Sequence, residues 1–205
     1  GAGNVSFINT STGVIYQPIA VSNSGGGTQL TNSGILGTSG STGPIFTIGG
    51  TGDGSGSGAG AISFANTSGG AIYQPIAISG SLGATSVTNS GVIGTSGSSG
   101  IIFTIGGTGD GSGNAAGSIS FANTSTGAIY QPISVSSSQA TPTVTNSGRL
   151  GVSGSTAIFT IGGTGDGSGN GAGTISFGNT SSGTIYQPIV ISNSGGSTTV
   201  ANSGR

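Results

Sequence analysis

Only five of the 205 residues carry a charged side chain, two Arg and three Asp, and 47 residues are glycine. Nucleic-acid and anionic-lipid binding need clustered Lys and Arg, so neither partner is expected. The chain has no His, Cys, Lys or Glu, which excludes disulfides and thiolate metal sites and leaves no nucleophile with a base beside it. We therefore expect neither an enzyme nor a bound cofactor.

The segment Ile-Tyr-Gln-Pro-Ile occurs four times, and its tyrosines stand at positions 16, 73, 130 and 186. Successive tyrosines are thus separated by steps of 57, 57 and 56. A fixed period of this length is typical of stacked or radial repeat proteins. We divide the chain into modules at 1–57, 58–114 and 115–170, with a partial fourth module at 171–205, and expect one continuous array.

Within the second module, the alternation of apolar and polar residues predicts short strands and no helix. The predicted strands cover residues 62–65, 71–79, 86–88 and 103–105, with a shorter segment at Ile93. Polar and glycine-rich turns separate these strands. Pro75 cannot donate a backbone hydrogen bond, so we expect a bulge or a corner inside the second strand, just before Ile76.

Short strands joined by corners favour an all-β fold, the right-handed β-solenoid or β-helix. A coil commonly takes about 18–24 residues, so a module would hold about three coils, each rising ~4.8 Å. Phe64, Val87, Phe103 and Phe121 follow one another at steps of 23, 16 and 18 along the chain, and we assign one to each successive coil. The chain would then contain about eleven coils over roughly 50 Å. The alternative is a β-propeller with one blade per module.

Three recurring patterns, Val-Thr-Asn-Ser-Gly-x-Ile-Gly, Ile-Ser-Phe-x-Asn-Thr and Ile-Gly-Gly-Thr-Gly, are spread over the modules. In these patterns the chain resembles the passenger repeats of bacterial autotransporters and of filamentous-haemagglutinin-type adhesins. The resemblance implies a secreted β-helix displayed at the cell surface.

A glycine-rich segment, Gly-Gly-Thr-Gly-Asp-Gly-Ser-Gly, ends the first three modules and is similar to the calcium-binding repeat Gly-Gly-x-Gly-x-Asp. Its acids, Asp53, Asp110 and Asp166, are the only ones in the chain. Three coils of separation would hold them ~14 Å apart, too far to share one ion. These Asp residues are therefore weak metal candidates, and we expect Asp-Gly turns there and no Ca²⁺.

Four Asn-Thr-Ser segments fit the acceptor pattern for N-glycosylation, with their asparagines at Asn9, Asn66, Asn123 and Asn179. Such matches arise readily in a chain this rich in Ser and Thr. The alternative is that each Asn stands at a corner between strands, where it tolerates a left-handed backbone.

Parity within the strands predicts an apolar contact stripe on the outside of the solenoid. If Phe46, Phe103 and Phe159 point inward, the isoleucine before each of them points outward, and the tyrosines also fall opposite to the inward parity. The predicted stripe consists of Tyr16, Tyr73, Tyr130, Tyr186, Ile45, Ile102 and Ile158. In the alternative, a bulge at each proline turns the tyrosine inward.

The same parity places Leu36, Ile93 and Leu150 inward. The residue before each of them, which is Arg149 in the third module, then points outward.

These features favour a structural, extracellular repeat protein that forms a stiff surface rod or a self-assembling fibre through homotypic contacts. One alternative is an adhesin whose exposed Tyr and Asn bind glycans or surfaces. Another is an ice-binding solenoid, although outward threonines do not form a Thr-x-Thr rank in each coil. No run of about 18 apolar residues is present to form a membrane-spanning helix.

Overall fold

The computed structural model describes residues 3–21, 26–49, 60–79, 83–107, 117–137, 141–153, 159–162, 173–192 and 196–205. These residues form 22 strands in three parallel sheets, numbered β1 to β22 in chain order. No helix occurs among them, so none of them forms an apolar helix long enough to cross a membrane.

Sheet 1 has eight strands, each of five residues. They are β1 (Val5–Asn9), β4 (Thr28–Asn32), β7 (Ile62–Asn66), β10 (Thr85–Asn89), β13 (Ile119–Asn123), β16 (Pro142–Asn146), β19 (Ile175–Asn179) and β22 (Thr198–Asn202). Each of these strands marks one coil of the chain, and we number the coils 1 to 8 accordingly.

Sheets 2 and 3 form the other two sides and have seven strands each. Sheet 2 consists of β2 (Val14–Ile15), β5 (Ile35–Leu36), β8 (Ala71–Ile72), β11 (Val92–Ile93), β14 (Ala128–Ile129), β17 (Arg149–Leu150) and β20 (Thr184–Ile185). Sheet 3 consists of β3 (Ile19–Val21), β6 (Phe46–Gly49), β9 (Ile76–Ser79), β12 (Phe103–Gly107), β15 (Ile133–Ser137), β18 (Phe159–Gly162) and β21 (Ile189–Ser192).

Except for the first and last strand of each sheet, every described strand pairs in parallel with the strand one coil before and one coil after it. In sheet 1, for example, Phe64 stands opposite Leu30 on one side and Val87 on the other. Successive turns of the backbone therefore lie on one another, which confirms the β-solenoid and excludes propeller blades. The three sheets run across every module boundary.

The structure corrects the number of coils in a module, which is two and not three. Phe64 and Val87 are neighbours in sheet 1, but Phe103 belongs to sheet 3 of the same coil as Val87. The two shorter predicted steps, on either side of Phe103, therefore join two sides of the solenoid and do not separate coils. The seven rises of ~4.8 Å between the eight coils give a length of about 34 Å instead of roughly 50 Å.

Coils alternate in length because a short and a long coil together make one module. Equivalent corner residues are 23 residues apart across a short coil and 34 residues apart across a long coil. The long coil of the third module measures 33. This single deletion accounts for the shorter step between the last two tyrosines.

Phenylalanine placement explains why the repeat needs two coils. Short coils carry Phe in sheet 1, as in Phe64, and Ile in the facing strand of sheet 3, as in Ile76; long coils reverse this, with Val87 facing Phe103. The narrow interior thus holds about the same side-chain volume at every level. Phe64 and Phe103 meet edge to face across the core, with ring centroids 5.2 Å apart.

An asparagine ends every strand of sheet 1, and these side chains form one hydrogen-bonded column that we call the asparagine ladder. The Nδ2 atom of each Asn donates to the Oδ1 atom of the Asn one coil further on, over 2.8 to 2.9 Å. The seven bonds join Asn9, Asn32, Asn66, Asn89, Asn123, Asn146, Asn179 and Asn202 in that order.

The ladder amides also donate hydrogen bonds to backbone carbonyl oxygens of their own coil and of the next coil. Asn66 Nδ2 donates to the carbonyl oxygen of Gly70 at 3.3 Å and to that of Val92 at 3.2 Å. The backbone repeats the pattern, since the Ser90 N–H donates to the Asn66 carbonyl oxygen over 2.8 Å. Buried amides without such partners would be costly, so the ladder fixes where each coil turns.

Glycine follows the ladder at each corner because the space there is occupied. A Cβ atom on Gly91 would overlap the carbonyl oxygens of Gly70 and Thr67 and would stand 2.8 Å from Asn66 Nδ2. By contrast, nothing lies within 4 Å of a Cβ built on Gly178, an outward position of β19. The second and third modules have alanine at that outward position.

This contrast predicts opposite effects of two Gly→Ala changes. Gly91→Ala should lower the free energy of unfolding by about 3 kcal/mol, because the backbone must move away from the corner. Gly178→Ala should raise it by about 0.5 kcal/mol, because alanine restricts the unfolded chain without a clash. Urea unfolding followed by circular dichroism measures both, and equal effects would contradict the packing described for the corner.

A substitution of Asn89, in the middle of the ladder, tests how much the ladder contributes to stability. Asn89→Ala leaves Asn66 Nδ2 without one acceptor and Asn123 Oδ1 without its donor, and should cost about 3 kcal/mol of unfolding free energy. The matched control is Thr88→Ala, an outward residue of the same strand, which should change that free energy by less than about 0.5 kcal/mol. If Asn89→Ala lowers the free energy of unfolding no more than the control does, the ladder does not contribute to stability.

Candidate functional site

The Tyr-Gln-Pro segments connect sheet 2 to sheet 3 in the short coils. In the long coils the same connection is a longer loop, which covers residues 37–45 in coil 2 and 94–102 in coil 4. Segments and loops alternate along one side of the solenoid, which we call the tyrosine flank. It is the part of the described surface richest in aromatic and exposed apolar side chains.

The buried glutamines of the second and third segments, Gln74 and Gln131, each clamp the loop of the preceding long coil. Gln74 Oε1 accepts from the Thr38 N–H at 3.0 Å, and Gln74 Nε2 donates to the Gly43 carbonyl oxygen at 3.1 Å. The neighbouring proline adds a third contact, because the Pro75 carbonyl oxygen accepts from the Ile45 N–H at 2.8 Å. Gln131 and Pro132 hold the loop of coil 4 in the same way.

Glycine is required where the loop begins. Gly37 has a φ of 83° and Gly94 a φ of 84°, a left-handed backbone that other residues rarely adopt. A Cβ on Gly37 would also stand about 2.5 Å from the side chain of Gln74. The clamp and the turn therefore depend on each other.

The third module departs from this arrangement. Between Gly151 and Phe159 its loop is one residue shorter than the loop between Gly94 and Phe103. Gln187 is buried like Gln74, but neither of its side-chain polar atoms has a hydrogen-bond partner among the residues described. The described part of the shorter loop thus offers Gln187 no tether of the kind that Gln74 and Gln131 make.

The tyrosines lie on the flank with different exposures. Tyr16 is 62% exposed and Tyr186 44%, whereas Tyr73 and Tyr130 are half-buried between loops. The guanidinium of Arg149 stands between the last two rings, with Cζ 5.6 Å from the Tyr130 centroid and 5.0 Å from the Tyr186 centroid. These distances are within the range of cation–π contacts.

The position of Arg149 is occupied by Val92 in the second module and by Ile35 in the first. Val92 therefore has the same position relative to Tyr73 as Arg149 has relative to Tyr130. Above Tyr73 an open cleft of about 210 Å³ lies between the loops of coils 2 and 4. Its walls include Ser41, Thr42, Ser98 and Ile101 besides Tyr73.

The predicted contact stripe is wrong at two of its isoleucines. Ile45 and Ile102 are buried, because they lie in the bend before Phe46 and Phe103, where the alternation of a strand has not yet begun. Ile101, one residue earlier, is 51% exposed instead. Ile158 lies outside the described residues, and the role of the tyrosines as a contact surface stays a prediction.

Parity within the strands of sheet 2 is confirmed. Leu36, Ile93 and Leu150 are buried, and the Arg149 side chain is exposed on the opposite face. The pleat argument therefore succeeds inside strands and fails at bends.

The four Asn-Thr-Ser asparagines are buried members of the asparagine ladder. Asn66 is 1% exposed, and its Nδ2 atom, the atom to which a glycan would be attached, has three acceptors. Asn9, Asn123 and Asn179 have the same environment. In the folded chain these amides are closed to glycosylation. The asparagines stand at corners, as the alternative expects, but each of them is the last residue of an extended strand and does not need a left-handed backbone.

The structure does not test the remaining hypotheses from the sequence, which are metal binding and ice binding. Asp53, Asp110 and Asp166 lie outside the described residues, whose only charged side chains are Arg149 and Arg205. Among the described strands of sheet 1, only β16 has threonine at both outward positions, Thr143 and Thr145. Ice binding by a regular threonine array therefore stays a prediction.

Comparison of the chain with protein-family models, with curated proteins and with solved structures finds no match in any of the three. The resemblance to autotransporter and haemagglutinin-type repeats accordingly stays a prediction, and function must be argued from the chain itself.

The two kinds of glutamine give a prediction with an internal control. Gln131→Leu should lower the free energy of unfolding by about 2 kcal/mol, because the Thr95 N–H and the Gly100 carbonyl oxygen lose their partners. Gln187→Leu should be neutral or raise it by about 1 kcal/mol, since it removes buried polar atoms that have no described partner. Urea denaturation measures the free energy of unfolding of both variants. Equal losses of that free energy would contradict the clamp.

Proposed function

We propose that the chain is a structural protein that forms a stiff rod or fibre outside the cell or at its surface. The observation that supports this most is the continuity of bonding along the axis. Three parallel sheets and the asparagine ladder connect each coil to the next with no break from one module to another. A pull along the axis is therefore shared by the backbone and the side-chain hydrogen bonds of every coil.

The surface supports the same proposal. Outward positions of sheet 1 carry short side chains such as Ser63, Ala65, Ser86 and Thr88, and only two charged side chains occur in the described chain. Contacts between such surfaces depend little on ionic strength, which suits a protein exposed to changing salt. The resemblance to surface-displayed repeats points to the same location.

Homotypic association is the partnership that this architecture favours. Each coil offers the next a row of backbone donors and acceptors in constant register, as in the pairing of β10 with β7 and β13. Parallel strand edges can pair between chains by the same bonds that pair them within one chain. We therefore propose that modules of neighbouring chains associate along the solenoid axis or side by side.

The rod is tested by adding modules. Each extra copy of residues 58–114 inserts two coils, so small-angle X-ray scattering should show the maximum dimension increase by ~10 Å per copy. The cross-sectional radius should stay constant. A chain extended by a Gly/Ser linker of the same length is the control, because a flexible segment lengthens the particle irregularly. A growing cross-section, or steps as large as a separate domain, would overturn the proposal.

A further inference from the structure

We propose that the cleft above Tyr73 is a binding site for a single uncharged pyranose unit, such as the end or a side branch of a neutral glycan. The cleft lies between the loop of coil 2 and the loop of coil 4, and it opens to solvent on the tyrosine flank. The site needs only coils 2 to 5 and is independent of whether rods associate.

The lining of the cleft combines an apolar surface with hydroxyl groups. Tyr73, Pro75 and the half-exposed Ile101 supply the apolar part, and Ser41, Thr42 and Ser98 supply the hydroxyls. A pyranose ring has the complementary pattern, with C–H groups on its faces and hydroxyls around its edge. Tyrosine suits such a ligand because it provides a large rigid face at low cost in side-chain entropy.

Charge and shape restrict the ligand further. None of the described residues that line the cleft is charged, so an ionised ligand would lose hydration without gaining a counter-charge there. The described walls are loops and present no free strand edge, which a bound extended peptide would use for its main-chain hydrogen bonds. The volume of about 210 Å³ is below that of pockets for drug-sized molecules and fits one small ring.

The cleft is held in shape before any ligand arrives. Gln74 clamps the loop of coil 2 at Thr38 and Gly43, and Gln131 clamps the loop of coil 4. The two loops also touch directly, because the Ser39 and Thr95 hydroxyl oxygens are 3.1 Å apart. Binding to loops that are already positioned costs less conformational entropy than binding to free loops.

The repeat offers a substitution that covers Tyr73. At Tyr130 the equivalent of Val92 is Arg149, whose guanidinium lies over the ring, with Cζ 5.6 Å from its centroid. Tyr73 lines the cleft, and the shorter Val92 is not among the residues that line it. We therefore expect an arginine at position 92 to place its guanidinium over the Tyr73 ring, as Arg149 does at Tyr130.

The experiment is an NMR titration of the ¹⁵N-labelled chain with the methyl glycosides of glucose, galactose, mannose and N-acetylglucosamine. We expect at least one of them to shift the amide signals of Ser41, Thr42 and Ser98 in a saturable way. Tyr73→Ala should weaken that binding at least about tenfold, and Val92→Arg should do the same by covering the Tyr73 ring. Neutral oligosaccharides ending in the same unit distinguish a free sugar from a glycan terminus as the ligand.

Tyr186→Ala is the matched control, because it changes the same repeat position far from the cleft and should leave the affinity unchanged. Thermal unfolding checks that each variant is folded, and Val92→Arg keeps the test decisive if Tyr73→Ala does not fold. The proposal is overturned if no neutral glycoside shifts these amides or if Val92→Arg binds as well as the unchanged chain. Binding of N-acetylneuraminic acid or of an uncharged tetrapeptide in their place would overturn it too.

Discussion

Hydrogen bonding between stacked asparagines is the constraint on which the rest of this molecule depends. A ladder amide can reach its neighbour at 2.8 Å only if every coil brings its asparagine to the same corner at the same height. That requirement fixes the register of sheet 1, where Asn66 stands opposite Asn32 and Asn89. A slip by one residue would bury the outward polar side chains and expose the core.

The core obeys a second constraint, which is constant volume in a narrow interior. One phenylalanine in each of coils 1 to 7 satisfies it, provided that the ring comes alternately from sheet 1 and from sheet 3. Consecutive rings, such as Phe64, Phe103 and Phe121, then pack edge to face along the axis. The two-coil module is thus the smallest unit that returns both the ladder and the alternation of rings to their starting point.

Sequence periodicity was sufficient to predict the all-β solenoid and the inward side of strands such as β11, because alternation in a paired strand leaves a side chain only two directions. It could not predict the coil count, because the strand that contains Val87 in sheet 1 and the strand that contains Phe103 in sheet 3 have similar sequence patterns. The ladder was hidden because its members occur in two different motifs, Asn-Ser-Gly after Val87 and Asn-Thr-Ser after Phe64. Ile102 was misplaced because parity does not extend through a bend.

The two sides of the solenoid tolerate change differently, and the third module shows why. Its loop is shorter by one residue, yet Asn146 and Asn179 keep their ladder bond at 2.8 Å. The deletion falls on the tyrosine flank, where Gln187 has no partner among the described residues and where Arg149 packs between two tyrosine rings. Loops on that flank can therefore vary in length and chemistry while the asparagine side holds the stack. A fold that separates its bonding from its variable surface can alter what one module contacts without loosening its neighbours.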